Sequence, residues 1–548
     1  MLRQRLNGGK EFKRGVGRRT RQASSVPLPF LYGPWYSEIV IRRSKGAFAV
    51  EKGLLGLIFL KPDRLTLRII DLDKHQVVNE ARSGSLHVGQ QAIANYAENI
   101  SAIANNLLGF KRLLADYQVT NYYLYGALTD IDLVTGKYVA NQIYVRTGLK
   151  IKWLNKDQTL ANVLAAVDKV VEHEEIEKKQ LTGYVLNIGL NTSNLAYYKK
   201  GKYTRSWEID LGKARLSQLV NNLRQTAATP SDIILDYISS KLEYLVPELK
   251  NNEESTMLIQ GAETLAERYL PAEKHVEKVP HKEFHKRYQH LLNASDQYII
   301  HHYDVDEQSV NWVLPTYLIV RQMMRLLNVK KVYVTDVSVL DGLEVTRAHP
   351  EVVIKMVKTA ADNLAIRYGA DSSHKRFVTA VAMQLYDALK PIHRLDDHYR
   401  LLLEVACKVD DIGNFINPQG HYRHSAYILE ANPLIGLSSQ DNEVIAEVSR
   451  YHSSETPEVS QPHYMHLDSE IQLPVAQLAA ILRVADSLDD SRLQKILQVH
   501  LALVGDDLQI KVKTTDDLVL EQWAFERKNQ LFTEVYGLHP KLMIVGRD

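Results

Sequence analysis

One cysteine, Cys407, stands in a chain of 548 residues. A lone thiol excludes an internal disulfide and points to a reducing compartment, so we expect a cytoplasmic protein. Its setting, LLLEVACKV, is an apolar helical run, which reads as core packing rather than a nucleophile. Long hydrophobic runs are also missing. No stretch reaches the ~18 apolar residues that mark a membrane helix, so no membrane span is expected. The basic N-terminus is not followed by an apolar segment, and it does not read as a secretory signal. Net charge is small, at +2, yet unevenly placed: residues 1–26 hold eight Lys and Arg against Glu11 alone. Such a tail, poor in large apolar residues, reads as disordered. It is either a solvated tail or an arm for polyanions acting through counterion release.

A chain this long exceeds one hydrophobic core and implies three or four domains. From about residue 36 strands and helices mix. GLLGLIFL, LTLRIIDLD, TNYYLYGAL and KIKWLN read as strands, TGYVLNIG with NLAYYKKG as a hairpin, and STMLIQG and VKKVYVTD as later strands. Residues 89–115 and the segments near 213–224 and 231–246 have helical spacing. This mixture implies α/β architecture. From 351 to 500 nearly every segment repeats at 3.6 residues and reads all-helical. After 500, HLALVG, DLQIKVKT and DLVLEQWAF alternate like a small β unit with one helix. The expected divisions are a tail (1–35), two α/β lobes (36–175 and 176–348), a helical domain (349–500) and a small C-terminal α/β module (501–548).

Within the helical part, histidines and aspartates recur on apolar segments: His374, Asp410, Asp411, His421, His424, His452 and Asp486. Imidazole nitrogen and carboxylate oxygen are the ligands of divalent cations. Asp486 lies four residues after Leu482 and eight after Leu478, on the stripe that faces the core. A buried carboxylate needs a counter-charge, so a cation or a base should sit opposite. Arg483, three residues earlier, is the competing explanation without a metal. The pair His281 and His285 lies among Lys282, Lys286 and Arg287 and reads as a solvated basic helix face.

The segments RHSAYIL, IGLS, EVSRYH and ILRVADSLDDSRL resemble the C-terminal half of the exopolyphosphatase/guanosine-pentaphosphate phosphohydrolase (Ppx/GppA) family. LEQWAFERKNQLFTEVYG resembles its terminal module. The resemblance implies a two-lobed actin/hexokinase-like (ASKHA) phosphatase half followed by a helical HD-type domain. It also implies a homodimer, and polyphosphate or guanosine polyphosphate as ligand. Set on the HD pattern, the metal positions are His374, Asp410, Asp411 and Asp486, with His424, His452, Arg423 and Arg450 completing the pocket. Asp410 replaces the histidine of the doublet. That makes the site richer in carboxylate and favours Mg²⁺ or Mn²⁺.

The phosphatase motifs depart from the family pattern. Phosphate-cradling turns need small residues so that backbone N–H groups can approach the ligand. In the first cradle Phe59 replaces Asp, Lys61 replaces Gly, and Pro62 removes a donor. The second is Asn187-Ile188-Gly189-Leu190-Asn191-Thr192-Ser193, with one glycine left and an amide in place of the carboxylate. A third turn carries Gly261. The expected phosphate-binding residues are therefore Asn187, Gly189, Thr192, Ser193 and Gly261. The family's catalytic Glu aligns with Gln158 or Thr159, neither of which takes a proton from water. Asp157 is displaced by about 100° on a helix and is expected to point elsewhere. The resulting expectation is an exopolyphosphatase-like phosphohydrolase with a degraded cleft. The alternatives are an inactive binding protein with a regulatory role, or hydrolysis by a metal in the HD pocket.

Overall fold

The computed structural model describes residues 53–545, apart from 62–63, 75, 85–98, 130, 174–180, 227–229, 246–254, 304 and 308. The basic tail lies outside the described residues, as do Pro62 and Asp63 of the first cradle.

The first sheet contains β1 (Leu54–Leu60), β2 (Leu65–Asp71), β3 (Gln76–Arg82), β4 (Asn121–Ala127) and β5 (Ile151–Leu154), in the order β3-β2-β1-β4-β5. Strand β1 reads as an unbroken apolar run because both of its faces are covered. Alternate residues enter different cores. Ile58 and Leu60 pack with helices Ile100–Asp116 and Leu133–Thr147. Leu55, Leu57 and Phe59 pack toward Leu340 and Leu343. Phe59, the departure from the first cradle, is thus a core residue, and Lys61 N–H closes the hairpin on Arg64 O at 2.9 Å.

The second sheet contains β6 (Gly183–Ile188), β7 (Ser193–Lys199), β8 (Lys202–Ile209), β9 (Ser255–Gln260), β10 (Val276–Lys278) and β11 (Val329–Thr335), in the order β10-β11-β9-β6-β7-β8. In both sheets the first strand pairs antiparallel with the second, the second with the third, and a parallel strand joins the first strand's other side. A further parallel strand follows it. The same strand plan is thus used twice.

Helices from Glu351–Arg367 to Ser469–Ser487 follow, built on one continuous core. That core extends into the last sheet, β12 (Ile496–Val504), β13 (Asp507–Thr514) and β14 (His539–Ile544). The segment Val519–Lys528 is a helix, not part of a β unit, and a second helix, Gln530–Tyr536, precedes β14. Its buried stripe is Leu518, Glu521, Ala524 and Phe525, a helical period that the carboxylate of Glu521 hides from a hydrophobicity count. Lys495 offsets that buried charge at 3.3 Å. Among the described residues no helix is long and apolar enough to cross a membrane.

Candidate functional site

Two places gather chemistry-bearing side chains: a buried charge cluster among the C-terminal helices, and a cavity lined by residues of those helices and of the segments around both large sheets.

The cluster is assembled from helix ends. Asp371 caps the helix Ser372–His393, accepting from the backbone N–H of Ser373 and His374, which fixes His374 in the first turn. Asp410 ends the helix Asp397–Val409, and Asp411 opens the short turn that follows. Asp486 lies in the last turn of Ser469–Ser487. Ligand atoms of His374, Asp411 and Asp486 come within 4.8 Å of one another, as do those of Asp411, His421 and His452. The structure thus brings together three of the four expected metal residues.

The cations opposite these carboxylates come from the chain itself. Lys375, which is 5% exposed, places its ammonium on Asp410 and 2.8 Å from Asp411 Oδ2. Arg492 donates to the same oxygen at 2.7 Å. Lys528 holds Asp486 Oδ2 at 2.5 Å. His374 faces carboxylates with both ring nitrogens: Nδ1 lies 2.8 Å from Asp489 and Nε2 3.1 Å from Asp486. Burial opposes its charge, but these two partners outweigh it and lift His374 to about 9, so it is an imidazolium. Burial pushes Asp410 up, with the charge of Asp411 adding to it and Lys375 opposing. Asp411 and Asp486 are buried too, yet Lys375 and Lys528 respectively lead the charges that hold them well below the usual range.

Four carboxylates (Asp410, Asp411, Asp486 and Asp489) therefore meet four positive groups (Lys375, Arg492, Lys528 and protonated His374). A carboxylate behind a histidine is also how metal ligands are oriented, so Asp489 is in place for one. Lysine and arginine side chains, however, already sit on three of these carboxylates. The residues present do not fit a resident divalent ion unless an ammonium is displaced.

Arg483, the expected counter-charge of Asp486, has a different task. Its guanidinium donates to the backbone carbonyls of Tyr451, Ser453 and Glu455. Three further pocket residues are placed elsewhere. Arg423 pairs with Glu455 on the exposed rim. Arg450 is buried between Glu430 and Glu447. His421, rather than His424, meets Asp411 at 3.3 Å and His452 at 3.1 Å. Lys375 and Arg492 carried a weak sequence signal, since each sits within six residues of a cluster aspartate or histidine. Lys528 is 42 residues from Asp486 and carried none.

The cavity has a volume of about 980 Å³ and draws its walls from residues 128–157, 191–208 and 429–467. Of the five expected phosphate-binding residues, Thr192 lines it, next to Asn191. The hairpin they belong to spends its polar groups internally. Gly189 N–H donates to Thr192 O at 3.0 Å, while Gly189 O and Leu190 O accept from Lys213 N–H at 3.0 Å and Ala214 N–H at 2.9 Å. Ser193 is fully buried, and its hydroxyl donates to Leu211 O at 2.6 Å. Asn187 pairs across to Asn194 and Gln260 in the sheet. Gly261 has φ +75°, and an added Cβ would lie 2.4 Å from Ile188 O. The close approach that needs this glycine is another strand's backbone, and its carbonyl receives the Lys213 ammonium at 2.7 Å.

The positions matching the family's catalytic Glu are structural. Asn155 Oδ1 accepts from Gln158 N–H at 2.8 Å and Gln158 Oε1 accepts from Asn155 N–H at 3.3 Å, a reciprocal cap on the helix Lys156–His173. Thr159 donates to Asn155 O at 2.7 Å. Asp157 does the opposite of what its helical rotation suggests: it lines the cavity. Burial pushes its carboxyl up to about 7, helped by Glu208 and opposed by Lys156.

The helical domain's wall of the cavity carries Glu430, Glu443, Glu447, His463 and His466. Arg450 bridges two of the carboxylates, lying 2.8 Å from Glu430 Oε1 and 2.9 Å from Glu447 Oε1. Glu443 is held above its ordinary range by burial and by the charges of Asp468, Glu447 and Glu430. One arginine thus leaves this wall with an excess of negative charge. Across the cavity, Lys156 is paired with Glu208 at 2.5 Å.

Residues 357–533 match the family model described as Ppx/GppA phosphatase, domain III. Solved structures with similarity include an exopolyphosphatase from Cytophaga hutchinsonii, at 13% identity and a TM-score of 0.46, covering 54% of this chain and 98% of that one. A member of the Ppx/GppA family from Aquifex aeolicus is similar at 13% identity and a TM-score of 0.45, covering 55% of this chain and 98% of that one.

Proposed function

We propose, from the match of residues 357–533 to the Ppx/GppA phosphatase family model, a phosphohydrolase-type protein whose central cavity has left conventional exopolyphosphatase chemistry. The observation that carries this reading is the fate of the catalytic positions. Gln158 and Thr159 are consumed in a helix cap, and Asp157 faces the cavity as the nearest carboxyl with a base-like pKa. A general base is most effective when its pKa lies near the working pH, so any remaining hydrolytic step takes its proton through Asp157. The ligand class remains polyphosphate or guanosine polyphosphate, but the terms of binding differ. With Asp157, Glu208, Glu430, Glu443 and Glu447 around the cavity, a polyanion is repelled unless cations accompany it.

A second reading is a catalytically inactive binding protein with a regulatory role. The capping role of Gln158 and Thr159 favours it, because neither takes a proton from water, whereas the internal pairing of Gly189 N–H, Lys213 N–H and Ala214 N–H removes cradle donors from binding and hydrolysis alike. Phosphate release and equilibrium binding separate the two, measured with polyphosphate and guanosine pentaphosphate with and without Mg²⁺. Slow release that Asp157→Asn abolishes supports the hydrolase. Binding without release supports the regulatory protein. Rapid release that is indifferent to Asp157→Asn refutes both.

A further inference from the structure

We propose that the outer edge of β12 is the interface of a two-fold dimer, in which β12 pairs antiparallel with β12 of a second copy of this chain and joins their two three-stranded sheets into one. An edge strand presents unpaired N–H and C=O groups to any strand that meets it, and proteins blunt such edges with charge or proline. Among the described residues the edges of the three sheets are β3, β5, β8, β10, β12 and β14. All but β12 are blunted in this way: Glu80 stands in β3, Lys152 in β5, Arg205 in β8, Glu277 in β10, and Pro540 and Lys541 in β14. β12, with the sequence ILQVHLALV, holds no Lys, Arg, Asp, Glu or Pro in nine residues. The same edge leaves aliphatic side chains in water. Leu493, Leu497, Leu503 and Val504 are between 42% and 69% exposed.

The strand is close to its own complement, which is why the occupant is a second copy. Turned about a two-fold axis through His500, Val499 falls opposite the partner's Leu501 and Gln498 opposite the partner's Ala502. Val499 and Leu501 already pack against the core of the helices, so the added strand extends that apolar layer. Beyond them, Leu497 and Leu493 come to lie along the partner's end that carries Leu503 and Val504. No charge of β12 meets its own copy across the axis, which removes the usual obstacle to a strand pairing with itself. Nine residues of strand edge with four half-exposed aliphatic side chains bury roughly 1,000–1,200 Å² in the pair, the lower bound of a specific interface. The dimer is therefore reversible, with a dissociation constant on the order of micromolar.

Gln498, His500 and Ala502 stand on the opposite face of the sheet from Val499 and Leu501, beside Lys513, Lys511 and Gln509. Charges placed at 498 and 502 therefore spare the core, which circular dichroism checks.

The test is sedimentation equilibrium of the full chain from about 1 to 100 µM. Gln498→Glu/Ala502→Glu sets two like-charge pairs across the axis and should weaken the dimer about tenfold. Gln498→Glu/Ala502→Lys changes the same two positions but sets opposite charges against each other, and should associate at least as tightly as the parent chain. A chain that stays monomeric over the whole range overturns the proposal and leaves the edge to a different protein. So does a dimer to which both variants are indifferent, which would put the interface elsewhere. The readout is association alone, so it does not depend on whether the cavity hydrolyses phosphate.

Discussion

Replacing Lys375 by Met is the sharpest test of how the helical domain manages its buried charge. The ammonium sits between Asp410, which is fully buried, and Asp411, which is 3% exposed. Methionine keeps the length and apolar stem and removes the charge. Asp411 retains Arg492 at 2.7 Å. Asp410 loses its cation, and its Oδ2 already lacks a hydrogen-bond partner. Breaking a buried pair by removing one partner costs about 3–5 kcal/mol, roughly 10 °C in melting temperature for a domain of this size. Uptake of a proton by Asp410 limits the loss, so the variant should fall further below wild type at pH 8 than at pH 5. The assay is thermal denaturation by circular dichroism. Mn²⁺ should leave the melting temperature of the Lys375 chain unchanged. A Lys375→Met shift below about 2 °C, or a Mn²⁺-dependent rise that Asp411→Asn abolishes, would refute the ion-pair account and restore the metal.

The same cluster predicts a bell-shaped stability profile. His374 is raised to about 9, so its contribution is complete below about 6.5 and is lost as pH rises through 9, worth about 3 kcal/mol. Asp411 and Asp486 are depressed, so their contribution is present above about 4 and lost in acid below that; a profile flat both below about pH 4 and above about pH 7 would count against it. A double-mutant cycle should couple Lys528→Met with Asp486→Asn by about 0.5–3 kcal/mol, while Arg483→Met, which loses carbonyl contacts, should couple to Asp486 more weakly. Any phosphate release should rise with pH through about 7 as Asp157 ionises, and Gln158→Glu should not restore turnover because position 158 caps a helix; a rate gain above about tenfold in that variant would overturn the assignment. Deleting residues 1–26 should flatten the salt dependence of polyanion binding, and an unchanged slope would make the tail a bystander.

Periodicity made the order of architecture legible: mixed α/β segments first, helices from 351, short strands at the end. It did so because burying one face of a helix or strand writes its period into the chain. The segment 518–525 escaped that logic, since the buried stripe of its helix includes Glu521, a residue no hydrophobic count would place inside. The gathering of His374, Asp411 and Asp486 was likewise legible, because aspartates on apolar stripes announce buried charge. What neutralises them was not. Lys528 approaches from a later helix, and Arg483, adjacent in sequence, turns to backbone carbonyls instead. Sequence spacing names neighbours along one helix, whereas a counter-charge is chosen by which helices pack together. Asp157 makes the same point for the cavity: rotation about one helix suggested that it points away, but segments distant in sequence close around it. The sequence by itself determined which residue types were available and which segments would be helix or strand, because those depend on local chemistry. Only the tertiary structure decided which carboxylate meets an ammonium, which meets a cavity and which glycine touches another strand, because those depend on the long-range packing that sets each side chain's dielectric and partners.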